Sequence, residues 1–142
     1  WLVGEEFTTI KAFGSNLVDP AIGAAGDVDT AVVSMTTNSG KLASISNSRR
    51  ASYGYDQRIE VHGTKGMIQA QNVLESTVVT STEDGVRSEK PMHFCLERYA
   101  AAYQAEWDGF VRLVIDGERT MPNQHDGLES LRLAEAASAQ VL

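Results

Sequence analysis

VDTAVVSMT (residues 28–36), followed by Asn38-Ser39-Gly40 and then by KLASISNSR (residues 41–49), decides how the rest of the chain is read. Val28, Thr30, Val32, Val33 and Thr36 are β-branched, a composition that suits a pleated strand. Asn and Gly tolerate positive φ, so residues 38–40 read as a tight turn. The segment after it, with Leu42, Ala43, Ser44 and Ile45 at its centre, is the antiparallel partner. Upstream, EEFTTIKAF (residues 5–13) alternates with period two and puts Phe7, Thr9, Lys11 and Phe13 on one face. Downstream, RIEVH (residues 58–62) ends in the turn Gly63-Thr64-Lys65-Gly66, and residues 67–71 return from it. STVVTST (residues 76–82) then leads through Glu83-Asp84-Gly85 into a short strand at 86–89. IGAAGD (residues 22–27), after Pro20, reads as a loop.

The period changes in the last third. Leu96, Tyr99, Tyr103, Trp107, Phe110 and Val114 are spaced by 3, 4, 4, 3 and 4. That spacing predicts an amphipathic helix of about five turns, ended by Asp116-Gly117. A loop is expected around Met121-Pro122-Asn123. Asp126, three residues before Glu129, would then open a second helix with Leu128, Leu131, Ala134, Ala137 and Val141 inward and Leu133 flanking. The expected fold is α+β, a largely antiparallel open sheet with two C-terminal helices packed on one face. The other face gathers small and hydroxylated residues (Thr30, Ser34, Thr36, Ser44, Ser46, Ser48, Thr77, Thr80) with Val32, Met35 and Ile68 between them. Such a face can be solvated or can pack closely against a second sheet, and of the two the packed arrangement, in a homo-oligomer, is expected.

The 142 residues fit one domain, with 42% hydrophobic and 22% charged residues. A net charge of −7 opposes binding to phosphate backbones, and no basic cluster exceeds Arg49-Arg50, so nucleic acid is not an expected partner. No apolar run approaches the roughly 20 residues of a membrane-spanning helix, so no membrane partner is expected either. Cys95 is the sole cysteine, which excludes an internal disulfide and suits a reducing cytoplasm; it reads as a small apolar residue at a helix start. Trp1-Leu2-Val3-Gly4 reads as the tail of a helix capped by Gly4, and the preceding turns are expected upstream of the chain.

No strand–glycine turn–helix order offers a dinucleotide fingerprint, so no cofactor site is expected within the chain. His62, His93 and His125 lack metal-ligand spacing, and no metal is expected. Glu89-Lys90-Pro91 is similar to a catalytic lysine motif of some sugar dehydrogenases, but it follows the strands of the sheet and reads as a solvated loop. The candidate site is NSRRASYGYDQRIEVHG (residues 47–63), where two tyrosines flank Gly54 and Asp56-Gln57-Arg58 follow, at the end of one strand and the start of another. Tyrosine hydroxyls and a carboxylate suit a polyol, which offers hydroxyls and no charge. The same residues also suit a structural ion-pair network with packed tyrosines.

At this segment the chain resembles the glucose-fructose oxidoreductase/inositol dehydrogenase family, in its inositol 2-dehydrogenase branch. SRRASYGYDQRIEVHGTKGM (residues 48–67) resembles a strand–turn–strand signature of that branch. FCLERYAAAYQAEWDGFV (residues 94–111) and DGLESLRLAEAA (residues 126–137) are similar to its two helices. The resemblance implies a two-domain enzyme. An N-terminal Rossmann domain, absent from this chain, would bind NAD, and residues 1–142 would form the C-terminal substrate and oligomerisation domain. It implies oxidation of myo-inositol to the 2-keto product in a homo-oligomer, usually a tetramer. The family's catalytic Lys, Asp and His would all precede Trp1, so none is assigned here. Tyr55 is the first substrate contact that the resemblance implies, with Tyr53 or Asp56 orienting it and Tyr99 a further candidate. By itself the fragment is expected to be inactive. The alternatives are a domain of a related sugar or polyol dehydrogenase and a non-catalytic oligomerisation or sugar-binding module.

Overall fold

The computed structural model describes residues 1–119 and 122–142, and the chain divides into two compact units, Trp1–Arg50 with Thr120–Leu142, and Ala51–Arg119. In the first unit, β1 (Phe7–Ser15), β2 (Thr30–Thr37) and β3 (Leu42–Ser48) form an antiparallel sheet in that order. Val33 pairs with Ala12 on one side and Ile45 on the other, and Gly40, at φ 88, closes the β2–β3 turn. A register shift between Phe7 and Thr9 pairs Phe7 with Thr37 and Thr9 with Thr36. Successive residues of β2 face opposite ways, so this bulge removes Phe7 from the face shared by Thr9, Lys11 and Phe13. Alternation alone could not reveal it.

Helix α3 (Gln124–Val141) covers the face of Ala12, Val33 and Met35 and packs on β1. It begins two residues before Asp126. Asn123 is the N-cap, accepting the His125 amide at 2.8 Å, and the Asp126 carboxylate accepts the Asn123 amide at 2.8 Å. Asp126 is thus the return arm of a capping box and not its start. The inward face runs through Leu133, Ala134, Ala137 and Val141, whereas Leu128 and Leu131 are exposed. Met35, expected on the open face, is 6% exposed and belongs to the core. The opposite face keeps Phe13, Val32 and Leu42 exposed among Ser34, Ser44 and Ser46. A β-carbon at Gly14 would lie 2.9 Å from Val141 Cβ and from Val28 Cγ1, so glycine is what lets the helix end approach the strand.

β1 is an edge strand, and edges leave backbone groups unpaired. Gln140 meets this one with both ends of its amide: it accepts the Ala12 N–H at 3.2 Å and donates to the Ile10 carbonyl at 3.0 Å. Between β1 and β2, residues 20–24 are not a loop but a one-turn helix, α1 (Pro20–Ala24). Asp19 caps it with Pro20 next in line, a pairing that starts helices readily.

Asp29, 3% exposed, accepts from the amides of Leu17, Val18 and Asp19 at 2.8–2.9 Å and from the Thr30 hydroxyl at 2.8 Å. Burial pushes its carboxyl up, but the donors from Asp19, Leu17, Val18 and Thr30 outweigh that and hold it down at about 2. A depressed value means stability that is full above the ordinary aspartate range and lost as pH falls. Asp29→Ala is expected to lower the melting temperature by roughly 5 °C or more at neutral pH. The gap between wild type and variant should close between about pH 4 and pH 2. Glu5, held to about 2 chiefly by Lys41 and Ser39, titrates in the same window but cancels in the difference. A gap independent of pH would contradict this role for the carboxylate.

In the second unit, β4 (Ile59–Gly63) pairs with β5 (Gly66–Ala70), and β6 (Val79–Thr82) pairs with β7 (Gly85–Ser88), both antiparallel. Among the described residues the strands thus form three antiparallel sheets rather than one continuous ladder. Helix α2 (Cys95–Asp116) ends at Gly117, as its period and glycine stop predict. Much of its apolar stripe stays open, including Leu96, Tyr103, Trp107 (63% exposed), Phe110 and Val114. The fold is α+β with antiparallel open sheets and two C-terminal helices, as expected, and α3 is the helix that lies on β1. Part of the loop expected around Met121 lies outside the described residues.

Candidate functional site

Tyr53, Tyr55, Asp56 and Tyr99 lie in the second unit, whereas residues 47–50 of the candidate segment belong to the first. Residues 51–58 run between β3 and β4 without regular structure, so they are positioned by side-chain and loop contacts. Gly54 is buried at φ 135, and a β-carbon there would stand 2.5 Å from the Pro91 carbonyl oxygen. The next residue, Tyr55, donates its amide to the Met92 carbonyl at 2.8 Å. Residues 90–92 are held in turn by Met92 N–H to Val73 O (3.0 Å) and Glu75 N–H to Lys90 O (3.1 Å). The backbone between the two tyrosines is therefore pressed onto a neighbouring segment.

Asp56 gathers the polar groups. Its Oδ1 accepts from Arg58 Nε at 2.8 Å and Asn72 Nδ2 at 2.7 Å, and its Oδ2 accepts from Arg58 Nη2 at 2.8 Å and from the Tyr53 hydroxyl. The bond from Arg58, then those from Tyr53 and Asn72, hold its carboxyl well below the usual carboxylate range. Tyr53, 50% exposed, is pushed above the ordinary tyrosine value by Asp56 and then by burial.

Tyr99, from the second turn of α2, stands edge-on to Tyr55 with ring centroids 5.7 Å apart and an interplanar angle of 78°. Its hydroxyl donates to Gln57 Oε1, and the Tyr55 hydroxyl, ahead of burial, holds it above its ordinary value. Asn72 closes the connection by accepting the Gln57 amide at 2.8 Å. The four candidates are thus arranged as two pairs, Tyr53 with Asp56 and Tyr55 with Tyr99. Tyr53 and Asp56 contact each other rather than Tyr55, which is oriented from α2. The ion-pair network expected of the segment is present, as Arg58–Asp56 with Tyr53 bonded to the same carboxylate. Gln57 lies within the segment singled out in the sequence, but Asn72 does not. Asn72 is an ordinary polar residue after a strand, and nothing local marks it as a partner of Asp56.

Three further chemistry-bearing residues take no part in the hydrogen bonds of this cluster. Lys90 is exposed and 3.7 Å from Glu75, the solvated setting expected of Glu89-Lys90-Pro91. His62 is exposed on β4 with its Nε2 2.6 Å from Glu60. Cys95 is a free thiol at the first residue of α2.

Residues 1–69 match the family model described as the GFO/IDH/MocA C-terminal domain. The chain is 50% identical over 137 residues to the Myo-inositol 2-dehydrogenase of Thermotoga maritima, an alignment covering 96% of this chain and 41% of that protein. A crystal structure of a probable dehydrogenase from Thermotoga maritima superposes with a TM-score of 0.91 at 49% identity, covering 99% of this chain and 42% of that one. The scyllo-inositol dehydrogenase of Lactobacillus casei, with bound NAD(H) and scyllo-inositol, superposes with a TM-score of 0.84 at 27% identity, covering 97% and 41%. The chain spans about two-fifths of the length of the curated relatives it matches.

Proposed function

The chain belongs to the GFO/IDH/MocA C-terminal domain family, and from that premise we propose that it is the substrate-side part of an NAD-dependent dehydrogenase oxidising myo-inositol to the 2-keto product. The observation that carries this reading is the 50% identity, over nearly the whole chain, to a protein named Myo-inositol 2-dehydrogenase. The phenols of Tyr53, Tyr55 and Tyr99 support it, because neutral hydroxyls recognise a polyol without demanding charge.

The residues present do not fit the dinucleotide. Asp19 caps α1, Asn123 and Asp126 form the capping box of α3, and α2, whose N-cap Phe94 makes no side-chain cap, carries the carboxylate of Glu97 in its first turn. A pyrophosphate would meet a carboxylate at each of these helix starts. NAD is therefore assigned to the portion of the relatives that this chain does not span, and no step is derived through it. What this chain contributes is binding and orientation. Tyr55, fixed through its backbone by Met92 and through its ring by Tyr99, would hold a ring hydroxyl. By itself the span is expected to lack dehydrogenase activity.

The test is to assay the full-length protein for NAD reduction with myo-inositol, scyllo-inositol and glucose side by side. Turnover of myo-inositol well above glucose is the expected result. Turnover of scyllo-inositol alone would favour that isomer, as the likeness to the Lactobacillus casei enzyme suggests. No turnover of any cyclitol would leave the reading without support. In the same enzyme Tyr55→Phe should raise the inositol KM by roughly 3- to 10-fold with kcat little changed, the loss of one hydrogen bond. Unchanged kinetics would remove Tyr55 from the site.

A homo-oligomer, a tetramer by family resemblance, would cover the open face of β1–β3. Phe13, 75% exposed, and Leu42, 83% exposed, stand there among small hydroxylated residues that permit close approach. Phe13→Asp is expected to lower the oligomer's mass in light scattering, and an unchanged mass would locate the interface elsewhere.

A further inference from the structure

We propose that Tyr53 meets a ligand only as a hydrogen-bond acceptor, because the Asp56 carboxylate behind it takes the phenol's one proton. An ionised carboxylate cannot donate, so the bond joining the two runs from the Tyr53 hydroxyl to Asp56 Oδ2. The carboxylate is held in place by three further donors, Arg58 Nε and Asn72 Nδ2 on Oδ1 and Arg58 Nη2 on Oδ2, at 2.8, 2.7 and 2.8 Å. The orientation of Asn72 is itself fixed. Its Oδ1 accepts the Gln57 backbone N–H at 2.8 Å, so its amide nitrogen must face the carboxylate. Four donors use up the acceptor capacity of Asp56. Asp56, Arg58 and Asn72 are therefore positioning residues, and Tyr53, half exposed, is the group a ligand reaches.

Lone pairs are all that the Tyr53 oxygen has left to offer. A group docking there must bring an O–H or N–H. A fluorine, an ether or a carbonyl would set lone pair against lone pair and lose the contact. Naming the donor as an inositol hydroxyl rests on the function proposed above; the polarity of the contact does not.

Two measurements on the full-length protein test this. The first follows the tyrosine ring carbons by NMR through alkaline titration, with Tyr53 assigned from Tyr53→Phe. Tyr53 should titrate above the other exposed tyrosines, and Asp56→Asn should return it to their range. Tyr53 titrating with the exposed tyrosines in both proteins overturns the proposal. The second compares kcat/KM for inositols carrying fluorine or hydrogen in place of each ring hydroxyl. At one position both replacements should lower kcat/KM by about tenfold, and Tyr53→Phe should remove most of that loss. In Asp56→Asn the side-chain amide can donate to Tyr53 and turn the phenol proton outward, so fluorine should be preferred to hydrogen at that position. Fluorine retaining the hydroxyl's kcat/KM at every position, or losses indifferent to Tyr53, overturns the proposal while leaving the function intact. If the protein turns over no inositol, the function fails and the titration alone decides the polarity.

Discussion

Gly54→Ala should destabilise the second unit by about 3 kcal/mol or more and raise the inositol KM of the full-length enzyme with it. Two costs coincide at this position. The backbone sits at φ 135, where a β-carbon is strained, and the added carbon would stand 2.5 Å from the Pro91 carbonyl oxygen. That oxygen is backbone and cannot swing aside like a flexible side chain. Residues 90–92 would have to move, and the Tyr55 N–H to Met92 O bond moves with them. The damage should therefore reach both flanking phenols. Gly127→Ala is the matched control: it is a helical glycine with nothing within 4 Å of its added carbon. That change should be neutral or stabilise by roughly 0.5–1 kcal/mol. Denaturant unfolding of both variants checks the contrast, and equal stabilities would refute it.

The second large effect is expected at Asp56. Asp56→Ala removes the acceptor shared by Arg58, Asn72 and Tyr53, and should destabilise the loop by about 2–3 kcal/mol. Arg58 is 60% exposed and recovers hydration when released, which keeps the figure below that of a buried ion pair. The inositol KM should rise roughly tenfold or more, beyond the effect of Tyr55→Phe, because the phenol of Tyr53 loses its anchor. The pH dependence has a definite sign. The carboxyl lies below its unfolded value, so its stabilisation is present above about pH 4 and lost as pH falls further. Activity measured towards acid pH should fall less steeply in Asp56→Ala than in wild type. Identical acid limbs would show that this carboxylate plays no part in the loss.

The division between what was legible in the sequence and what was not follows the range of the interactions. The Asn38-Ser39-Gly40 turn, the strands on either side of it, and the end of α2 at Gly117 could all be read locally, because a turn, a two-residue alternation and a helix stop are set by neighbouring residues. Short-range signals also erred where a local alternative competed. Asp126 resembles a cap but answers one at Asn123, and Asp19-Pro20 starts a helix where the glycines after it suggested a loop. The Phe7 bulge depends on a partner strand and leaves no trace in alternation.

The candidate site is divided in the same way. Segment 47–63, with its phenols and carboxylate, was identifiable from residue types alone. Which residues meet was not, because the pairs are far apart in the chain: Asn72 reaches Asp56 across 16 residues, Tyr99 reaches Gln57 across 42, and Gln140 reaches the β1 edge across 130. The sequence by itself determined the strands and the two long helices, their order and the chemistry collected between β3 and β4. Only the tertiary structure decided that Asp56 is filled by protein donors and that Tyr53 and Tyr99 each stand in a directed hydrogen bond. A carboxylate's spare capacity depends on every donor within reach, and those donors are brought together by folding.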